Sequence, residues 1–272
     1  MNSINALWEQ KNYNPQILFL TNHYIREYDL HHANISALYT QKKISLDQYN
    51  YLLSLPKIQR EIAVGKMSRD KTILDAIAQG IQEARKNLFE YNHLEDNDIL
   101  TIKNDAVFVI DKVCTNTIFG NYEFRCKHEY TIFMKLGRLE IYYGSLYDYQ
   151  KDSDIINLDV KGINDSKLPL HQNGMLDIIC TTCFKLEKSS IEDTLNYLQD
   201  MYIQYINRKL PKEYYREFNP DCGYRVNMPI TGFCLLPDID NSMIDIVDIS
   251  TNLNVMRSLL QIVSMIYNRK TK

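Results

Sequence analysis

The chain has 272 residues, 45% of them hydrophobic and 24% charged, with a formal net charge of −3. That is enough for one large domain or two small ones with ample core, in the balance of an ordinary globular protein rather than a disordered or fibrous one. A net negative charge argues against coating nucleic acid through bulk positive charge, and leaves room for a local basic channel.

No apolar run approaches the ~20 residues that span a bilayer, and the opening "MNSINALWEQ" lacks the basic-then-apolar pattern of a secretory signal. The expectation is a cytoplasmic protein with no membrane partner. A composition of 20 Tyr against 9 Gly and 1 Trp, rich in Asn, Ile and Lys, reads as A/T-rich coding. That is common in some bacteria and their phages, so the cytoplasm would be a host's if a phage encodes the chain. Six cysteines, Cys114, Cys126, Cys180, Cys183, Cys222 and Cys234, include one C-x-x-C at 180–183. With no second close pair and apolar flanks "MLDIICTTCFKL", core packing is favoured over zinc.

In chain order, "QILFL" (16–20) is strand-like, enters a polar turn, and continues through "YIREYDL" into a short helix. Ser45 is a plausible N-cap for a helix that runs to Pro56, after which "KIQREIAVGKM" restarts. The clearest helix follows, with Ile73, Ile77, Ile81, Ala84 and Leu88 at helical spacing. It leads into "DILTIKNDAVFVID" (98–111), which reads as a buried apolar strand carrying one misplaced carboxylate, Asp105. Burying an unpaired charge costs several kcal/mol, so Asp105 needs a partner, a metal or a proton.

The middle third, "NYEFRCKHEYTIFMKLGRLEIYYG", alternates as two or three strands with a turn near Gly137. A polar loop, "SLYDYQKDSD", and "INLDVKGIND" follow. Helices then run over 171–188, from Ser189 or Ser190 onward, and through "LNVMRSLLQIVSMIYNRK". The predicted class is α+β, an antiparallel sheet with packed helices followed by a helical subdomain from about 165.

Asp29 in "IREYDLHHANISAL" and Asp105 each sit at the edge of an apolar element. Acidic residues on neighbouring strands can hold Mg²⁺ for phosphoryl transfer. An exposed aspartate at a strand end has the same local appearance. The basic residues are open in the same way: Lys57, Arg60 and Lys66 can contact a triphosphate or form a solvated helix face. Lys127, Lys135 and Arg138 can bind a phosphate backbone or keep a sheet soluble. Lys209, Lys212 and Arg216 can grip a duplex or serve as helix-end cations. His31 and His32 can be ligands or hydrogen-bonded surface groups.

The order of segments resembles the palm and thumb of family B DNA polymerases, over roughly residues 24 to 215. "YDLHHANISAL" stands where the family has D-x-x-S-L-Y-P, and "NDAVFV" where it has T-D-S-V-F-V after a long helix. "FRCKHEYTIFMKLGRLEIYYG" resembles the palm hairpin with its basic patch. Lys161 and Gly162 of "VKGIND" resemble the K-G motif that leads into thumb helices. The resemblance implies a palm over 1–164 with reduced fingers at about 40–70, and a thumb over 165–272. It also implies Asp29 and Asp105 as catalytic metal ligands for Mg²⁺ and Lys57, Arg60 and Lys66 as nucleotide contacts. Lys127, Lys135, Arg138, Lys161, Lys209 and Lys212 would be nucleic-acid contacts. The implied partners are a DNA or RNA duplex, nucleoside triphosphates, and other replication or transcription subunits.

The departures are specific. Lys103 stands where the second motif has its first aspartate, Asn34 where the first has its sugar-gating aromatic, and the K-x-x-x-N-S-x-Y-G fingers motif is not intact. Three readings follow: an active nucleotidyltransferase, a palm that has lost catalysis and serves as a phage binding or assembly subunit, or an α+β interaction protein with no nucleic-acid role.

Overall fold

The computed structural model describes residues 16–136, 139–148, 153–161, 174–211, 214 and 241–270. The class is α+β, with antiparallel strand pairs and seven α-helices among the described residues. No described helix is long and apolar enough to cross a membrane. The chain divides into two compact units, one of residues 1–17 and 22–131, the other of 18–21 and 132–272.

In the first unit the strand order is β2 (Ile99–Lys103), β3 (Ala106–Ile110), β1 (Phe19–Leu30) and β5 (Tyr122–Leu136), and a short β4, Ile118–Phe119, pairs with β5. Strand β1 spans Phe19–Leu30 and β5 spans Tyr122–Leu136, so each gives one end to either unit. The polar turn expected after residue 20 does not break β1. Asn22 takes a left-handed conformation (φ 61°) inside the strand, which asparagine tolerates better than other non-glycine residues. "YIREYDL" is therefore strand, and the helix begins after it, as α1, Ala33–Thr40.

The stretch 98–111 is not one strand but a hairpin, β2 (Ile99–Lys103) and β3 (Ala106–Ile110). Asn104 at φ 43° lets the chain reverse in two residues; Asn and Asp are favoured in such tight turns. Asp105 thus leaves the apolar run and sits half-buried in the turn.

Helix α2 (Leu46–Ser54) begins with the expected Ser45 cap, in a reciprocal capping box with Gln48. Pro56 starts α3 (Lys57–Met67) and Asp70 caps α4 (Lys71–Tyr91). One core joins Tyr28, Leu30, Val107 and Val109 of the sheet to Ala37 of α1 and Ala84 and Leu88 of α4. A second packs Ile35 and Leu38 with Leu52, Val64 and Ile77. Gly80 makes the α1–α4 approach possible: a Cβ there would lie 2.5 Å from the Ala37 Cβ and 2.8 Å from its Cα.

In the second unit the end of β5 pairs with β6 (Leu139–Asp148), which pairs with β7 (Ser153–Lys161). The strands run further into "SLYDYQKDSD" than the polar composition suggests. Met134, Ile141, Tyr143 and Val160 share one core with α5 (Gly174–Lys188), α6 (Ile191–Ile206) and α7 (Asn241–Lys270). The hairpin strands thus pack with the C-terminal helices. Ser190 caps α6. Cys183 is fully buried in this core, the apolar role expected of the C-x-x-C; Cys222 and Cys234 lie outside the described residues.

Gly80→Ala should destabilise the chain by about 1–3 kcal/mol in urea titration, although alanine is the better helix former, because the added methyl meets backbone that cannot withdraw.

Candidate functional site

The register of β1 on β3 decides where the two predicted aspartates lie. Asp29 pairs with Ala106, Tyr28 with Val107, and Glu27 with Phe108. The Leu30 N–H donates to the Asp105 carbonyl at 2.9 Å, which closes the ladder at the turn. Residues 76 positions apart in sequence, Asp29 and Asp105, therefore share one strand end.

Directly paired antiparallel residues project to one face, so the register also lays out side-chain rows. Lys103 pairs with Ala106, giving a row Asp29–Ala106–Lys103, with the smallest side chain in the middle. The next row is Glu27–Phe108–Thr101. Glu27 is buried, 4% exposed, and accepts a 3.0 Å hydrogen bond from the Tyr130 hydroxyl. Tyr130 also stacks with Phe108 at 6.5 Å, and the Lys103 ammonium lies 6.0 Å from the Phe108 ring centre. Sequence reading passed over Glu27. The available signal was Glu27 and Asp29 two apart in a strand, which puts both on one face.

Beyond Asp29 the chain turns into α1 through His31 and His32. His32 has φ 52° and caps α1 without a side-chain hydrogen bond, and no acidic residue stands in that helix's first turn. The two imidazole rings lie 3.7 Å apart. The His31 N–H donates to the Glu123 carbonyl at 2.8 Å. The Glu123 carboxylate accepts two hydrogen bonds from Arg125, at 2.8 and 2.9 Å. Burial lowers the pKa of both histidines, and for both the Arg60 and Arg125 charges push the same way. His32, beside His31, is brought down to about 4.

The structure thus sets Asp29, Asp105, His31 and His32 at one strand end, with Arg60 among the charges acting on the histidines, and adds Glu27 and Arg125, to which the sequence assigned no role. It separates the other proposed nucleotide contacts. Lys57 lies 3.9 Å from Glu61. Lys66, nine residues on, falls on the opposite side of α3 at about 3.6 residues per turn. Among the expected nucleic-acid contacts, the Lys135 ammonium is 2.5 Å from the Glu140 carboxylate, which is itself buried. Lys161 lies 2.9 Å from Asp159, its ammonium 5.3 Å from the Tyr142 ring centre. Lys127 and Lys209 are exposed, while Arg138, Gly162, Lys212 and Arg216 lie outside the described residues. Asn34 is exposed on α1.

Asp29, opposite Ala106, and Asp105, opposite Leu30, are one register step apart at this strand end. Among the described residues, no group of three or more His, Cys, Asp or Glu side chains forms a metal cage. A two-carboxylate site suits Mg²⁺, which usually takes one or two carboxylates and completes its shell with water and substrate phosphates.

The depressed histidine has a thermodynamic consequence. A histidine that is harder to protonate folded than unfolded binds fewer protons in the native state, so stability falls as pH drops from about 6.5 toward 4. Urea titrations across that range should show this loss, and His32→Gln should flatten it. An unchanged slope in the variant would contradict the burial described for His32.

No curated protein matches the chain. One family model does, that of the Bacteriophage PBS1 gene 130 protein, over residues 1–265. Nearly the whole chain is covered, and it belongs to that family of phage proteins.

Proposed function

We propose that the first unit is a divergent polymerase-like palm whose Asp29–Asp105 corner handles nucleoside triphosphates on a nucleic-acid template, with α5 to α7 as the thumb-like part. The observation that carries this reading is the β1–β3 register, which brings the two aspartates to one strand end from distant points of the chain. A shared cation requires two acids brought to one place from separate parts of the chain.

Asp29 and Asp105 are the residues that would hold Mg²⁺; bound there, the ion would lower the cost of charge building on transferring phosphate oxygens. Ala106, buried, is the small residue between Asp29 and Lys103 in that row. Glu27, two residues before Asp29 on the same face, accepts the Tyr130 hydroxyl. Arg60 is among the positive charges acting on His32, three residues after Asp29.

The second reading is a palm without catalysis, serving as a binding or assembly subunit. Its supporting observation is Lys103, which stands in the row of Asp29 where the active motif has an acid. A cation in that row competes with a metal for the same carboxylates.

Primer extension with Mg²⁺ separates the two. The catalytic reading expects template-dependent nucleotide addition, reduced about a hundredfold or more by Asp29→Asn or Asp105→Asn, in the range seen when a group stabilising transition-state charge is removed. No addition with any template, alongside nucleic-acid binding that survives both substitutions, would leave the binding subunit. No binding of nucleic acid or nucleotide at low salt, where phosphate contacts are strongest, would remove both.

A further inference from the structure

We propose that the cleft bounded by α4, the end of α1 and the β4–β5 hairpin binds an uncharged saccharide. The cleft lies within the first unit, and no residue that lines it belongs to the Asp29–Asp105 strand end. The inference is therefore independent of the palm reading.

The cleft has a volume of about 520 Å³, within the range of small-molecule sites. Glu83, Asn87 and Tyr91 supply one wall; four residues apart along α4, they share one face of the helix. The rest comes from Thr40 at the end of α1 and from the hairpin between Ile118 and Tyr122. These walls are held by bonds of their own. Asn92 Nδ2 donates to the Asn116 carbonyl at 2.6 Å, and the Asn116 N–H donates back to Asn92 Oδ1 at 3.0 Å. Asn116 Nδ2 donates in turn to the Tyr91 carbonyl at 3.0 Å, which ties the end of α4 to the approach to β4. Gly120, at φ 59°, turns the hairpin so that Phe119 pairs with Tyr122. The His31 N–H bond to the Glu123 carbonyl holds the start of β5 against the end of β1. Walls fixed in advance spare a ligand the cost of ordering them.

Tyr122 is an independent observation. Its side chain is buried and its hydroxyl makes no hydrogen bond, whereas buried polar groups are nearly always paired. The polar side chains that act on it are already engaged. Thr40 Oγ1 accepts from Asn121 Nδ2 at 3.3 Å, and Glu83 Oε2 accepts from Gln41 Nε2 at 2.9 Å. Burial pushes the Tyr122 pKa up, so the hydroxyl keeps its proton and can both donate and accept. Asn121 is exposed, and its amide can leave Thr40 for a ligand. Thr40 Oγ1 can then accept from Tyr122 and donate to the same ligand.

The lining chemistry selects the ligand class. It includes Glu83 and neither lysine nor arginine, which turns phosphates away. Thr40, Asn87, Asn121 and Tyr122 each offer both a donor and an acceptor. An ammonium ion only donates and would leave their protons idle, whereas a sugar hydroxyl both gives and takes. Tyr91 is 60% exposed, with its ring centre 5.3 Å from that of Phe119. It adds an aromatic face on which the C–H face of a sugar ring can pack.

The test titrates the full chain with maltotriose, cellotriose and tri-N-acetylchitotriose, and separately with adenosine, thymidine and spermidine, by saturation-transfer NMR and calorimetry. At least one of the three sugars should bind, one per chain. Tyr91→Ala and Asn87→Ala should each weaken that binding about tenfold or more. Lys188→Ala, on α5, should change nothing. Tyr122→Phe should weaken binding while leaving the urea midpoint of the free chain unchanged or raised, because the hydroxyl it removes has no partner. Tyr91 is exposed, so its variant keeps the test sound if substitution at Tyr122 disturbs folding.

Absent binding of all three sugars, or binding indifferent to Tyr91→Ala and Asn87→Ala, overturns the proposal. So does a lowered urea midpoint with unchanged binding in Tyr122→Phe, the mark of a hydroxyl that serves only the fold. Binding of a nucleoside and of no sugar, lost in Tyr91→Ala, overturns the choice of ligand in favour of a nucleobase. Binding of spermidine alone overturns it in favour of an organic cation.

Discussion

The hydrogen bond from the Leu30 N–H to the Asp105 carbonyl, and the two-residue reversal that places that carbonyl, set everything proposed for the first unit. A slip of one residue between β1 and β3 would send each side chain of β1 to the other face. Glu27 and Asp29 would then enter the apolar layer under α1 and α4, and Tyr28 would leave it. The layer holds the register because Tyr28, Val107 and Val109 are buried there with Leu88 and Ala84. The polar face is a consequence: what the helices do not cover carries Glu27, Asp29, Thr101 and Lys103.

The same constraint explains why a cluster of charges is tolerated. Glu27 is buried but receives the Tyr130 hydroxyl, and Arg125 is matched to Glu123. Arg26 is matched to Glu129 at 2.6 Å. Behind them, Tyr28 accepts a hydrogen bond from the Cys114 N–H at 2.8 Å and is pushed up to about 12 by burial. That interior is packed.

Much of the fold was legible because it depends on local chemistry. Ser45 and Ser190 are helix caps that announce themselves, and the spacing of Ile73, Ile77, Ile81, Ala84 and Leu88 defines α4. The misreadings come from places where one residue's backbone freedom decides the path. Asn22 let β1 run on where polar residues suggested a turn, and Asn104 broke an apolar run that periodicity alone joined into one strand. The packing of β6 and β7 with α5 to α7 depends on pairings between distant residues, which local periodicity does not encode. At the site, the two aspartates were visible as acids at the edges of apolar elements. His31 and His32 were visible as possible ligands, while Glu27 and Arg125 became visible only through strand register and hydrogen bonding.

Manganese is the direct probe of the central claim, that the strand end shared by Asp29 and Asp105 binds a divalent cation. Titration of Mn²⁺ followed by electron paramagnetic resonance should show tight binding at one or two sites per chain. Asp29→Asn and Asp105→Asn should each remove that binding, while Asp75→Asn on the exposed side of α4 should leave it intact. Manganese binding indifferent to both strand-end substitutions would contradict the account.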